Sequence, residues 1–152
     1  MEHSEVIRKL HSAYCRLLRN DFALLELNAN ERSITHKLAE YLQSEFQEWH
    51  VDCEYNRDGD IPKQLSVQNI STNDTDARTV FPDIVIHHRN TKNNLVVIEA
   101  KKSSTAHGSA DEEKLKAYIA EHRYQFAFAV IFPIESRISQ ANPSTDITEV
   151  TA

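Results

Sequence analysis

The chain has 152 residues, of which 40% are hydrophobic and 26% are charged, a composition typical of one soluble globular domain. Its net charge of -6 argues against a general nucleic-acid coat protein, because such a protein depends on many phosphate contacts. Its two cysteines have no CxxC spacing, so the sequence indicates neither a disulfide framework nor a cysteine zinc site. No apolar run is long enough for a bilayer, and residues 1–5 lack the layout of a secretory signal, so we expect a cytoplasmic protein without a membrane partner.

Apolar residues at helical intervals predict two helices in the first third of the chain. The first runs from about Glu2 to Arg19 and suits packing or self-association. The second begins near Asn30, which is a good N-cap, with Ser33 as the alternative. Glu31 lies in the first turn of that helix, where the helix dipole favours a carboxylate.

A strand with alternating apolar and polar residues is predicted over residues 49–56, and residues 57–60 then carry a turn signal. Residues 62–79 have no sustained apolar period. We expect this polar loop to border a functional cleft, and the alternative is a surface insertion without a function.

Two β-branched apolar runs, residues 81–88 and 95–102, are separated by a short polar break and predict a hairpin. In an antiparallel pair the start of the first strand lies beside the end of the second. Asp83 should therefore lie near Glu99 and Lys101. The last two share one face of their strand, because side chains alternate along a strand.

Two carboxylates and a lysine in a small volume are costly at the end of an apolar hairpin, unless a cation lies between the carboxylates. Asp83, Glu99 and the backbone carbonyl of Ala100 offer the oxygen ligands that Mg²⁺ prefers, and Mn²⁺ should substitute for it. A bound metal acidifies a water, and Lys101 would hold that water, deprotonate it or stabilise developing negative charge. The alternative is an edge hairpin with surface charges and one ion pair.

A second helix-and-strand unit is predicted in the last third of the chain. Ser109 is a candidate N-cap for a helix that ends at residue 121 or 122, and residues 125–132 form an apolar strand that suits a buried position. On the helix, Lys114 either reaches the cleft or forms an i,i+3 ion pair with Asp111. Residues 139–152 are polar, and we expect a flexible tail there.

The pair Pro82-Asp83, followed on the next apolar strand by Glu99-Ala100-Lys101, resembles the PD-(D/E)xK, or restriction-endonuclease-like, nuclease superfamily. Further segments look like small uncharacterised bacterial proteins assigned to that superfamily. These segments are Asn30-Glu31-Arg32 with residues 38–42, Val51 to Arg57, and Asp111 with Lys114-Leu115. The resemblance spans roughly residues 28 to 132.

The resemblance implies an α/β fold with a restriction-endonuclease-like core. That core is a central mixed sheet of about four strands flanked by helices, in the order helix, three strands, helix, strand. We expect a single nuclease-like domain over residues 1–138, with residues 1–20 as an accessory helix and residues 28–132 as the core.

The resemblance also implies a Mg²⁺-dependent endonuclease or phosphodiesterase in which Asp83, Glu99 and Lys101 are catalytic. Many members of the superfamily use a glutamate from the first core helix and an auxiliary residue from the second. Glu31 and Lys114 are therefore secondary candidates, although the helix dipole and an ion pair explain them equally well.

Nucleic acid is the expected partner, with DNA favoured over RNA. Four basic residues are candidate contacts for it, and each taken alone is explained as well by ordinary solvated surface. These residues are Arg57, Lys63, Arg78 and Lys102. We expect no separate recognition domain, which favours recognition of nucleic-acid shape or ends, or reliance on a homodimer or a partner subunit. Two rival interpretations stay open: a module of the same fold that binds or assembles without cleavage, and an unrelated α/β protein with an accidental motif.

Overall fold

The computed structural model describes residues 1–55, 57–58, 61–62, 65, 81–105 and 108–152. The helices are α1 His3–Asn20, α2 Phe22–Glu26, α3 Glu31–Glu45, α4 Ser109–His122 and α5 Pro143–Asp146, with a 3₁₀ helix at Glu135–Gln140. The strands are β1 His50–Cys53, β2 Arg57–Asp58, β3 Ile61–Pro62, β4 Ile84–His87, β5 Asn94–Lys102, β6 Phe126–Phe132 and β7 Ile147–Val150. No helix in these described ranges has the length and apolar character needed to cross a membrane.

A five-stranded mixed sheet in the order β1-β4-β5-β6-β7 forms the centre of the fold. The predicted hairpin is present, because β4 and β5 pair antiparallel. β5 and β6 are parallel and are connected through α4, whereas the two outer strands pair antiparallel with their neighbours. The chain therefore has the expected α/β class with helices flanking a mixed sheet, and the sheet contains five strands rather than about four.

The two faces of the sheet pack against different helices. Ile84 and Ile98 belong to the core on the side of α1 and α3, whereas Val85 and Val97 belong to the core that includes Leu115 of α4. This alternation follows from the pleat, which sends successive side chains to opposite faces. Odd-numbered residues at the end of β5 therefore face α4, and even-numbered residues face α3.

The predicted helix starts are correct to within one residue. The Asn30 side chain accepts a hydrogen bond from the Arg32 backbone N–H at 2.9 Å, as expected of the N-cap of α3. The N-cap of α4 is Gly108, and Ser109 is the first helical residue instead of the cap. The first predicted strand ends at Cys53 because Glu54 has a positive φ of 49°, which an extended strand does not allow.

The polar segment 139–152 is not the flexible tail that its composition predicts. It contains α5 and the edge strand β7, in which Ile147 pairs with Val130. The Asp146 carboxylate is only 6% exposed and accepts hydrogen bonds from the Tyr14 hydroxyl and the Asn142 N–H, each at 2.7 Å. This buried carboxylate fixes the segment to α1, and a polar sequence suits an edge strand that has water on one side.

We predict that Tyr14→Phe lowers the free energy of unfolding by about 1–3 kcal/mol, because the buried Asp146 carboxylate loses a hydrogen-bond donor. Urea denaturation measures this loss. Tyr41→Phe is the control, since its hydroxyl donates to the half-buried Asp21 and its loss should cost less. Unchanged stability of Tyr14→Phe would contradict the docking of the C-terminal segment.

Candidate functional site

Asp83 and Glu99 lie opposite each other where β4 meets β5. Ile84 pairs with Ile98 in this ladder, so the next positions outward are Asp83 and Glu99. The Asp83 Oδ2 atom also accepts a hydrogen bond of 2.7 Å from the Ala100 backbone N–H. The structure therefore brings together the two carboxylates that the hairpin geometry predicts to meet.

Both carboxyl groups are in an environment that disfavours their charge. Glu99 is only 4% exposed, and burial, together with a smaller contribution from the nearby Asp83, raises its pKa to about 7 against the lowering effect of Lys114. Burial also raises the pKa of Asp83, against the lowering effect of the Ala100 N–H. Neighbouring carboxylates with little water around them repel each other, and a further cation between them would lower both pKa values.

Lys114 of α4 is the cation that lies closest to this pair among the described residues. Its Nζ atom lies 2.7 Å from Glu99 Oε1 and donates to the Phe81 carbonyl oxygen at 3.0 Å. Lys114 and Glu99 form an ion pair, and the buried Oε1 atom makes no regular hydrogen bond with the described residues. Of the two predicted alternatives, Lys114 reaches the site and does not pair with Asp111.

Lys101 is held by the first turn of α4. Its Nζ atom donates to Asp111 Oδ2 at 2.5 Å, and the same oxygen accepts the Gly108 N–H at 3.0 Å. Lys101 lies two residues beyond Glu99 on the same strand, so both side chains face α4. Asp111 therefore sets the position of this lysine, a role that sequence reasoning missed because an acidic residue in a first helical turn is explained by the dipole.

Glu31 approaches the same end of β5 from the opposite layer. Its Oε2 atom accepts a hydrogen bond from the Lys102 backbone N–H at 3.2 Å. Glu31 and Asp83 also line one cavity of about 350 Å³, which lies beside the N-terminal half of α3. Glu31 therefore faces the region of Asp83, as the resemblance implies.

Lys102 is not available as a free basic group in this structure. Its Nζ atom donates to Asn28 Oδ1 at 2.9 Å and to the Ala29 carbonyl oxygen at 3.1 Å, which ties β5 to the segment before α3. This contact argues against the predicted role of Lys102 in binding nucleic acid.

Three of the predicted nucleic-acid contacts cannot be placed. Lys63 and Arg78 lie outside the described residues, as does the Arg57 side chain, although the Arg57 backbone belongs to β2. The polar loop predicted over residues 62–79 also lies outside them, except for the positions of Pro62 and Leu65.

Sequence reasoning also missed an ion pair at this cavity. Arg32 Nε lies 3.1 Å from Glu54 Oε1, and both residues line the cavity beside Asp83. Glu54 leaves the strand at a positive φ of 49°, a conformation that the sequence does not predict for a glutamate. Arg32 gave no signal beyond its position next to Glu31.

The site fits a hard divalent cation in part. Asp83 and Glu99 offer two carboxylates, and Glu99 Oε1 is a buried oxygen without a regular hydrogen bond. Among the described residues no group of three His, Cys, Asp or Glu side chains converges to hold a metal ion. Two carboxylates nevertheless suit Mg²⁺, which keeps several of its waters and often takes only one or two protein carboxylates. The backbone carbonyl of Ala100 remains a predicted third ligand.

A comparison of the chain with protein families, curated proteins and solved structures finds no match. The interpretation of the site therefore depends on its geometry and on the motif that the strands carry.

We predict that Glu99 makes the metal-free protein less stable as pH rises from about 4.5 to about 7. Across this window the folded state holds a proton on Glu99 that the unfolded state has lost, so raising the pH favours unfolding. Glu99→Gln should remove this pH dependence. Above the window its free energy of unfolding should exceed that of wild type by up to about 3 kcal/mol, since each pKa unit corresponds to about 1.4 kcal/mol.

Urea unfolding in EDTA at both ends of the pH window measures this difference. Glu113→Gln, at an exposed position of α4, is the matched control and should follow wild type at every pH. If the free energies of unfolding of Glu99→Gln and wild type change in parallel with pH, the pKa of Glu99 is not raised in the folded protein.

Proposed function

We propose that this protein is a metal-dependent nuclease with a restriction-endonuclease-like core, which hydrolyses phosphodiester bonds of nucleic acid, with DNA favoured over RNA. The observation that carries the proposal is the position of the buried Glu99 carboxylate opposite the half-buried Asp83 where β4 meets β5. The charged form of both groups is disfavoured in the protein alone, and a divalent cation would relieve that cost.

The order of elements supports the proposed core. α3 is followed by the antiparallel strands β1, β4 and β5, then by α4 and the parallel strand β6. This order matches the helix, three strands, helix and strand of the superfamily that the motif resembles. The other elements are additions to it: α1, α2, the two-stranded sheet of β2 and β3 between β1 and β4, the 3₁₀ helix, α5 and β7.

Asp83 and Glu99 would hold a Mg²⁺ ion, which would supply a water of lowered pKa and offset negative charge on the phosphate. The Ala100 N–H fixes the orientation of the Asp83 carboxylate. Lys101, which Asp111 positions, orients the attacking water and stabilises the charge that develops on the phosphate oxygens.

Lys114 has a different role in this mechanism. It balances the charge of the buried Glu99 carboxylate, and its bond to the Phe81 carbonyl fixes the backbone just before Asp83. Both effects keep the two carboxylates in place, so Lys114 is a positioning residue.

One observation favours the rival proposal of a binding or assembly module without cleavage. Lys101 and Lys114 are already paired with Asp111 and Glu99, so the described part of the cluster is partly balanced without a metal. A cleavage assay on single-stranded, duplex and branched DNA and RNA, with Mg²⁺, Mn²⁺ or EDTA, separates the two proposals. Cleavage that EDTA abolishes supports the nuclease, and reproducible binding without cutting supports the module.

We predict that the carboxylates and the lysine affect metal binding differently. Asp83→Ala and Glu99→Ala should weaken Mn²⁺ binding and abolish cleavage, because they remove anionic ligands. Lys101→Ala should bind Mn²⁺ equally well or more tightly and cut about 100-fold more slowly, because it removes a positive charge and the partner of the attacking water. Mn²⁺ titration calorimetry and single-turnover cleavage measure the two effects.

Lys116→Ala is the matched control, since Lys116 forms an exposed ion pair with Glu112 on the outer face of α4. It should leave both measurements unchanged. A wild-type rate for Lys101→Ala, or unchanged metal binding and cleavage for Glu99→Ala, would show that the roles are assigned wrongly.

A further inference from the structure

An exposed ion pair lies beside the candidate site on the α3 side of the sheet. Arg32 Nε and Glu54 Oε1 are 3.1 Å apart, and their side chains are 83% and 50% exposed. Both residues line the cavity of about 350 Å³ that also contains Asp83 and Glu31. The guanidinium group therefore lies at a recess next to Asp83, one of the two proposed metal ligands.

A phosphodiester that enters this recess meets three carboxylates, those of Glu31, Glu54 and Asp83. Its own negative charge then needs a cation with a replaceable partner. Lys101 and Lys114 are held by carboxylates that are at least four-fifths buried. The Lys102 ammonium group is held by a side-chain oxygen and a backbone carbonyl of the segment before α3.

Arg32 differs from these lysines because its partner is exposed. Exposed ion pairs contribute little to stability, so exchanging the Glu54 carboxylate for a phosphate oxygen costs little. A guanidinium group also binds phosphate through two parallel hydrogen bonds, which an ammonium group does not do. The backbone of Arg32 stays fixed during such an exchange, because its N–H donates to the side chain of Asn30, the N-cap of α3.

We propose that Arg32 binds a backbone phosphate of the nucleic-acid substrate and releases Glu54 when it does so. This inference rests on the proposed nuclease function and adds to it a contact with the substrate backbone from the α3 side of the sheet. Glu54 competes with the substrate in the free protein. Arg32 thus sets affinity for the nucleic-acid backbone, and it takes no part in bond breaking.

Fluorescence anisotropy on the full chain tests the proposal, in a Glu99→Gln background that prevents cleavage. The probes are fluorescein-labelled duplex DNA, single-stranded DNA and single-stranded RNA, each of about 20 nucleotides, titrated at several salt concentrations. Arg32→Ala should raise Kd about tenfold or more and lower the slope of log K against log salt by about 1, as expected for the loss of one phosphate contact.

Arg8→Ala is the matched control. It removes the same charge from an exposed position on α1, next to Lys9, whose ammonium group contacts the last residue of α3. It should leave Kd and the salt slope close to those of the parent. Arg32 is exposed, so its replacement should not unfold the protein, and thermal unfolding of each variant checks this.

Glu54→Gln tests the exchange itself. It frees Arg32 from its partner and should lower Kd several-fold, and the gain should disappear when Arg32 is already alanine. If the gain persists without Arg32, Glu54 only repels the substrate and the exchange is wrong.

The outcomes separate this inference from the function on which it rests. A parent protein that neither binds nor, with Glu99 restored, cuts any of the probes overturns the proposed function. A parent protein that binds, with Arg32→Ala equal to Arg8→Ala in Kd and salt slope, overturns the role of Arg32 alone. A raised Kd with the smaller salt slope supports it.

Discussion

Two carboxylates, the buried Glu99 and the half-buried Asp83, lie side by side at the end of the β4/β5 ladder, and the surrounding contacts depend on this arrangement. Desolvation disfavours the ionised form of Asp83 and of Glu99, and the two carboxylates repel each other when both are ionised. An apolar sheet cannot contain such a pair without donors and cations around it. The Ala100 N–H and the Lys114 ammonium group provide part of this compensation from two different elements.

The same constraint fixes how α4 lies on the sheet. Asp111 and Lys114 are three residues apart on the helix, a rise of about 4.5 Å, and bind Lys101 and Glu99, which are two residues or about 6.6 Å apart on β5. The two spacings are similar enough for both ion pairs to form at once. Sliding the helix by one turn, about 5.4 Å, would break both pairs and leave Glu99 buried without a cation.

These ion pairs are a poor explanation of stability by themselves. Desolvation of a buried lysine and glutamate largely cancels their attraction, and an apolar pair of similar volume often stabilises a protein equally well. Stability is better attributed to the apolar layers on the two faces of the sheet, such as Ile98 on one side and Val97 on the other. This cluster gives little stability, and its environment disfavours the ionised form of its own carboxyl groups. A chemical role explains such a cluster better than a structural one and supports the proposed site independently of the motif.

The local parts of this arrangement could be predicted from the sequence. The hairpin and the approach of Asp83 to Glu99 follow from strand periodicity and antiparallel pairing, which involve neighbouring segments. The partner of Lys114 could not be predicted, because a contact with Asp111 three residues away and one with Glu99 on β5 suit the same helix face. The position of α4 on β5 decides whether Lys114 pairs with Asp111 or with Glu99, and this position depends on the packing of the whole core.

Long-range contacts explain the other failures. The segment that contains β7 is polar in sequence, and its place beside the sheet depends on Asp146, whose partner Tyr14 is 132 residues away. Composition predicts disorder for such a segment because it does not contain the partner that buries it. The ion pair of Arg32 with Glu54 is also a contact between distant segments. It joins α3 to the residue that follows β1, where a positive φ ends the strand.

Consecutive residues at the end of β5 connect the site to both layers of the protein. Lys101 binds Asp111 of α4 through its side chain, and Lys102 binds Glu31 of α3 through its backbone N–H. Because the pleat sends neighbouring side chains to opposite faces, a strand end is the place where both layers can reach one small volume. The distance between Glu31 and Asp83 is therefore set by how α3 packs on the sheet, while the position of Lys101 is set by α4. The geometry of the site thus depends on both halves of the core, although its three motif residues belong to a single hairpin.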